Sequence, residues 1–208
     1  FMRYGEEQVL FRGTAKPLPK AWPDERAAAC GIRSTTALDA LPLARLYATA
    51  TPAPVVRLEA IRLADWERQG THWRVPRSSL TPILRFADVE GFVQISPDGG
   101  KDGTQLDGFL QIGVAKEDQP HYLKVMARPE ANVVDLVDFG LGVIGARTTK
   151  GGDHRHDRGV MAPVRTYESP IDRRLEEAGF DSIASVNLLM KETLVRVAEP
   201  ALVPAGVR

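Results

Sequence analysis

The sequence predicts an α/β fold, more fully an α+β arrangement on a mixed sheet, and three observations carry that expectation. Near the C-terminus, Val160–Tyr167, an amphipathic stretch over Ser169–Ala178, Gly179-Phe180 and Ile183–Met190 read as strand, helix, tight stop and strand. Upstream, Leu106–Ala115 and His121–Arg128 are apolar, strand-length segments separated by the turn residues of Lys116–Pro120. The composition allows a normal core: 208 residues, 43% hydrophobic and 26% charged, suit one domain with an appendage.

Phe1–Arg12 is half apolar and lies without gaps on Phe180–Lys191. Phe1/Phe180 and Leu10/Leu189 are identical there, and Gln8/Asn187, Val9/Leu188, Phe11/Met190 and Arg12/Lys191 are chemically similar. Two readings stay open: the last strand of a preceding copy of the same fold, or one half-apolar strand resembling another. Residues 13–30, with Pro17, Pro19, Pro23 and the Ala28–Cys30 run, read as a linker.

Ile32-Arg33 begins the regular structure as a short strand. Thr35 or Thr36 caps a helix over Ala37–Ala48, and a second helix fits Pro54–Gln69, where Val55, Leu58, Ile61 and Leu63 recur near helical spacing. Trp73 falls in a turn. Leu80, Ile83, Leu84 and Phe86 crowd one side of a short helix over Leu80–Val89, and Gly91–Ser96 is a strand. Pro97–Gly103 is a strong turn signal before the strands named above. A helix fits Val133–Arg147, although Gly140, Gly142 and Gly145 each weaken it by about 1 kcal/mol relative to Ala. Thr148–Gly159 is then a loop. In the last helix Ser169 is the expected N-cap, Pro170 suits the first turn, and Gly179 supplies the left-handed stop.

Charge and cysteine usage exclude several classes. The formal net charge is zero, which removes the electrostatic case for nucleic acid or a membrane surface. No apolar run is long enough to span a bilayer. The single Cys30 allows no internal disulfide. A soluble, cytoplasmic protein is expected.

The order β-α-α-(α)-β-β-β-α-β-α-β from Gly31, ending in a helix closed by Gly-Phe, resembles the GNAT superfamily of acyl-CoA-dependent N-acyltransferases. It is similar to bacterial tandem chains whose second GNAT-like domain carries Arg45-Leu46-Tyr47, Ala50-Thr51-Pro52 and the Arg165-x-Tyr167 pair. The resemblance implies a GNAT-like domain over 31–197, a terminal strand of a preceding repeat over 1–12 and a tail over 198–208. It also implies that His121–Arg128 and Val160–Tyr167 are central strands that splay apart, with the acyl thioester between them. Acetyl-CoA would be the co-substrate, with Val125, Met126 and Ala127 as backbone contacts, Arg128 pairing with a phosphate, and Asn132, also on the cofactor side, capping the helix that follows.

Two departures stand out. Where the superfamily has Gln/Arg-x-x-Gly-x-Gly/Ala, this chain has Arg128-Pro-Glu-Ala-Asn-Val133. Glycines there let backbone N–H groups approach a pyrophosphate at a helix N-terminus, and none is present. Counting back from Gly179, the place of the usual general-acid tyrosine is Leu175, and that of the usual asparagine is Glu168. Leucine has no proton to donate.

Tyr167 and His121 are the candidate substitutes for acid and base. A tyrosine at a strand end is more often a packed ring with a wet hydroxyl, and a histidine without a visible partner is more often surface or core. Tyr122 begins the same strand as His121, and Glu90 and Asp107 flank strands, where they either receive an amine proton or, more often, are exposed turn carboxylates. His154 and His156 with Asp153 and Asp157 have metal-binding chemistry, but they lack a separated third anchor, so no metal is expected. The functional expectation is transfer of an acetyl group to a primary amine, on a small molecule or a peptide, through an atypical cofactor loop. The alternative is a catalytically inactive GNAT-like domain serving as a dimerisation, ligand-binding or scaffold module. Its partner would be a second copy or a preceding GNAT-like domain.

Overall fold

The structure is a computed structural model, and it describes residues 1–67, 75–97, 105–116, 118–150 and 158–191, the side chains of 149 and 150 excepted. Its strands are β1 (Met2–Arg12), β2 (Ile32–Ser34), β3 (Phe86–Ile95), β4 (Leu106–Ala115), β5 (His121–Ala127), β6 (Val160–Arg165) and β7 (Asp181–Met190). They form one sheet in the order β2-β3-β4-β5-β6-β1-β7. Every neighbouring pair is antiparallel except β5 and β6, which run parallel. The expected mixed sheet is therefore present.

The helices are α1 (Asp24–Ala29), α2 (Ala40–Ala50), α3 (Ala53–Glu59), α4 (Leu63–Glu67), α5 (Val134–Lys150) and α6 (Ser169–Glu177). They cover both faces of the sheet. Strand alternation sends Leu110, Leu123 and Val125 to one side, where they pack with Leu136 and Ile144 of α5 and Leu175 of α6. Phe109 and Met126 face the other way and pack with Leu43, Leu46 and Tyr47 of α2 and Trp66 of α4.

The N-terminal strand is an inner strand of this sheet. β1 pairs with β6 from Glu7↔Arg165 to Arg12↔Val160 and with β7 from Met2↔Met190 to Phe11↔Asp181. The segment expected as linker contains α1, which starts directly after Pro23. Its earlier part lies against α5 and explains two of the helix glycines. A Cβ on Gly142 would stand 2.9 Å from the Lys20 carbonyl oxygen, and one on Gly145 would stand 3.1 Å from that of Pro19.

Three expectations need correction. The helix over Leu80–Val89 does not form: Ile83 and Leu84 both donate to the Leu80 carbonyl in a single turn, and Phe86 already pairs with Ala115. Leu80, Ile83 and Leu84 have helical spacing for one turn only, after which cross-strand pairing with β4 prevails. The helix over Pro54–Gln69 is broken at Ala60, which is left-handed at φ 46°, so α3 and α4 are separate and Glu59 sits at the break. Ser169 is the first residue of α6, and the N-cap position belongs to Glu168. The stop was as expected: Gly179 has φ 90°, and Phe180 N–H donates to the Leu175 carbonyl at 3.0 Å. Thr36 caps the turn before α2, its N–H donating to Asp39 Oδ2 at 2.7 Å. The turn over Pro97–Gly103, Trp73, the loop with His154 and His156, and the tail lie largely or wholly outside the described residues.

Candidate functional site

β5 and β6 share a register only at His121↔Val160 and Tyr122↔Met161. Beyond that point they part, although β5 continues to Ala127 and β6 to Arg165. Pro163 supplies a local reason, because it has no N–H to extend a ladder. The splay that the resemblance implies is thus a feature of this sheet.

The inner part of the splay is filled by charged side chains. Lys124, on the α2-facing side of β5, reaches across the gap. Its Nζ donates to the Pro163 carbonyl at 3.2 Å and lies 2.7 Å from Glu168 Oε2. The same carboxylate oxygen accepts from Arg165 N–H at 2.8 Å. Lys124 is 1% exposed and Glu168 8%, so the charges are compensated by each other rather than by water.

Arg165 extends this network. Its Nε lies 3.0 Å from Glu7 Oε2, and its Nη2 lies 3.2 Å from Glu59 Oε1 and donates to the Arg77 carbonyl at 2.8 Å. Glu59 also accepts from Tyr47 OH at 2.6 Å and Tyr4 OH at 3.3 Å. Glu7 accepts from Ser79 N–H at 2.8 Å and from the Ser79 hydroxyl. Three carboxylates thus face two cations, and hydroxyl and amide donors reach Glu7 and Glu59 as well. Burial pulls the Arg165 guanidinium down, but Glu7 and Glu59 outweigh it and hold its pKa above the ordinary value.

The free space left among Tyr47, Thr51, Lys124, Met126, Arg165 and Tyr167 is about 10 Å³, on the order of one water. A second small cavity, about 40 Å³, opens at the mouth of the splay between Ala127, Arg128 and Val133 on one side and Tyr167 and Pro170 on the other. Tyr167 borders both cavities. Burial first, and then the nearby Glu168 carboxylate, raise its pKa, so its hydroxyl keeps its proton at neutral pH. Tyr47 is raised likewise by burial and by its bond to Glu59.

The structure brings together Met126, Ala127, Arg128 and Tyr167 among the residues expected from sequence. The paired motifs converge as well, since Tyr47, Thr51, Arg165 and Tyr167 line one cavity. Val125 packs into the core on the α5 side. Asn132 caps α5, its Oδ1 accepting from Val134 N–H at 3.0 Å, which commits the atom to its own helix. Arg128 is half-buried, 3.9 Å from Asp107, and Glu130 is exposed. His121 is at the closed end of the splay, fully buried, with Nδ1 accepting from Ala115 N–H at 3.1 Å. It lines neither cavity. Leu175 is a core residue at 1% exposure. Glu90 is paired with Arg147 at 2.7 Å. Among the described residues no group of His, Cys, Asp or Glu is arranged to hold a metal ion, and no helix is long and apolar enough to cross a membrane.

Lys124, Glu7 and Glu59 were not singled out by sequence reasoning. The available signal was a lone lysine inside the apolar run His121–Ala127, and a lone glutamate pair inside β1.

No protein-family model matches the chain, and no curated protein matches it. Among solved structures it is similar to a candidate acetyltransferase of the GNAT family from Novosphingobium aromaticivorans, at 14% identity and a TM-score of 0.49, covering 88% of this chain and 63% of that one. It is also similar to a tandem GNAT protein from the clavulanic acid biosynthesis pathway, at 12% identity and 0.46, covering 91% and 56%. A third is a GCN5-related N-acetyltransferase from Sphaerobacter thermophilus, at 14% and 0.43, covering 88% and 50%. The chain thus spans between half and two thirds of the length of these proteins. At such scores the likenesses add no weight of their own, and the fold assignment rests on the strand order and the splay.

Proposed function

We propose that this chain is a GNAT-like domain with a closed cleft, acting as a framework or partner-binding module rather than as a transferase. The observation that carries this reading is the buried Lys124–Glu168 pair, which spans the gap where an acyl thioester would lie. The glycine-free Arg128–Val133 loop and the core position of Leu175 point the same way. A further part of the reading, that residues 1–12 are the terminal strand of a preceding repeat, rests on the gap-free match of Phe1–Arg12 to Phe180–Lys191.

A second reading is favoured by the mouth cavity, where Ala127, Arg128 and Tyr167 meet. In it the chain transfers an acetyl group from acetyl-CoA to a primary amine of a small molecule or peptide. The amine nitrogen attacks the thioester carbonyl, the C–S bond breaks, Tyr167 donates its proton to the leaving thiolate, and the proton shed by the nitrogen passes through water to the tyrosinate. The backbone of Val125–Ala127 orients the acyl group and Arg128 faces phosphate.

Calorimetry with acetyl-CoA separates the two. The closed-cleft reading expects no heat of binding at millimolar cofactor. Saturable micromolar binding, weakened by Arg128→Ala, would replace it with the second.

A further inference from the structure

The two edges of the sheet are unlike. β2 is three residues long and ends the sheet beside β3. β7 is ten residues long, pairs only with β1 among the described strands, and has most of its residues exposed on both faces. A long edge strand is normally blunted by lysine, proline or brevity. β7 contains no lysine or proline, and its exposed residues include Ile183 at 53% and Leu189 at 57%.

The sequence of this strand is complementary to itself when reversed. Two copies placed antiparallel about Val186 would set Asp181 against the partner's Lys191 at both ends. Ile183 would face the partner's Leu189, Ala184 the partner's Leu188, and Ser185 the partner's Asn187. The two exposed apolar residues thus meet each other, small polar meets small polar, and charges pair with opposite sign. Antiparallel neighbours of this kind are the unit of sheet stabilisation. The chain already shows that such a strand fits beside β7: β1, which lies gap-free on Phe180–Lys191 in sequence, occupies the other edge in antiparallel pairing. Toward β1 the pairing shifts register near both ends, leaving Ile183 of β7 and Tyr4 of β1 unpaired, and it is regular from Ala184 to Leu188 around Val186.

We propose that two copies of this chain associate through β7 in antiparallel register centred on Val186, joining their sheets about a two-fold axis. The pairing is isologous, so each contact occurs twice. It is independent of whether the cleft binds acetyl-CoA.

Charge reversal tests the register. Asp181 and Lys191 are both exposed, so Asp181→Lys and Lys191→Asp leave the fold intact. Sedimentation equilibrium of the full chain is expected to show a dimer. Each single reversal converts two attractive pairs into two repulsive ones and weakens the dimer by roughly tenfold at low salt. The double reversal restores it. A chain that stays monomeric at about 100 μM, a concentration at which even weak interfaces populate, overturns the proposal. So does a dimer that neither single reversal weakens, or one that the double reversal fails to rescue.

Discussion

Lys124 Nζ and Glu168 Oε2 lie 2.7 Å apart across the gap that opens between β5 and β6. One residue comes from the strand and the other from the N-cap of the helix that follows its neighbour. The pair therefore ties together two elements whose backbones have ceased to bond.

Lys124→Met removes one member of a buried pair and leaves the Glu168 carboxylate with Arg165 N–H alone at that oxygen. Such losses cost about 3–5 kcal/mol, because the remaining charge is uncompensated. Combining it with Glu168→Gln should recover a large part of that. Urea denaturation of the two single variants and the double variant is expected to give a coupling energy of about 2 kcal/mol. A value near zero would mean that the pair is not formed in solution.

Arg165→Lys is expected to destabilise almost as much as Arg165→Met. The guanidinium reaches Glu7 with Nε, and Glu59 and the Arg77 carbonyl with Nη2. A single ammonium cannot serve all three directions. The expected loss is about 3 kcal/mol or more, measured from denaturant midpoints. Rescue by lysine would show that charge alone suffices and that the fork geometry is incidental.

The framework was legible because its signals are local. Gly179-Phe180 closes α6, Thr36 caps the turn before α2, and the strands 106–115 and 121–127 are largely apolar runs, as burial on both faces requires. The polar cluster was not legible, because its members come from β1, α3, β5 and β6, and only tertiary structure joins them. Glu59 in particular sits at a break that helical periodicity conceals: Val55, Leu58, Ile61 and Leu63 look continuous, yet Ala60 turns left-handed between them. The strand at Phe86–Val89 was misread for a related reason. Its apolar residues follow a genuine single turn, and the pairing that decides its state lies on β4, twenty-odd residues away.

Alkaline pH should destabilise the chain through its tyrosines. All four, Tyr4, Tyr47, Tyr122 and Tyr167, are raised above the ordinary value of 10.0, with burial the leading cause at each. The folded state then holds these protons when the unfolded state has released them. Stability is fully present below the unfolded value and falls as pH rises from there through the folded values. Urea midpoints at pH 9, 10 and 11 should decline only above about pH 10. Native absorbance at 295 nm should stay nearly flat over that range and rise when urea exposes the rings. Phenolate signal appearing near pH 10 in the native chain would refute the burial of these hydroxyls.

Gly142→Ala sets helix propensity against packing, and the two have opposite signs. Alanine in place of glycine favours a helix interior by about 1 kcal/mol, so α5 considered alone predicts stabilisation. The added methyl, however, would stand 2.9 Å from the Lys20 carbonyl oxygen and 3.4 Å from the Ala21 Cα. Those are backbone atoms, which cannot swing aside as a side-chain tip does. They belong to the segment that runs from β1 to α1, and Leu18 and Trp22 on either side of them are packed on the core. Lifting this segment costs about 1–3 kcal/mol by the usual measure of overpacking, enough to cancel the propensity gain and exceed it. The expected outcome is a net loss of roughly 1 kcal/mol in denaturant unfolding. A stabilised variant would show that residues 18–21 do not rest on α5, and that the glycine answers to some other constraint.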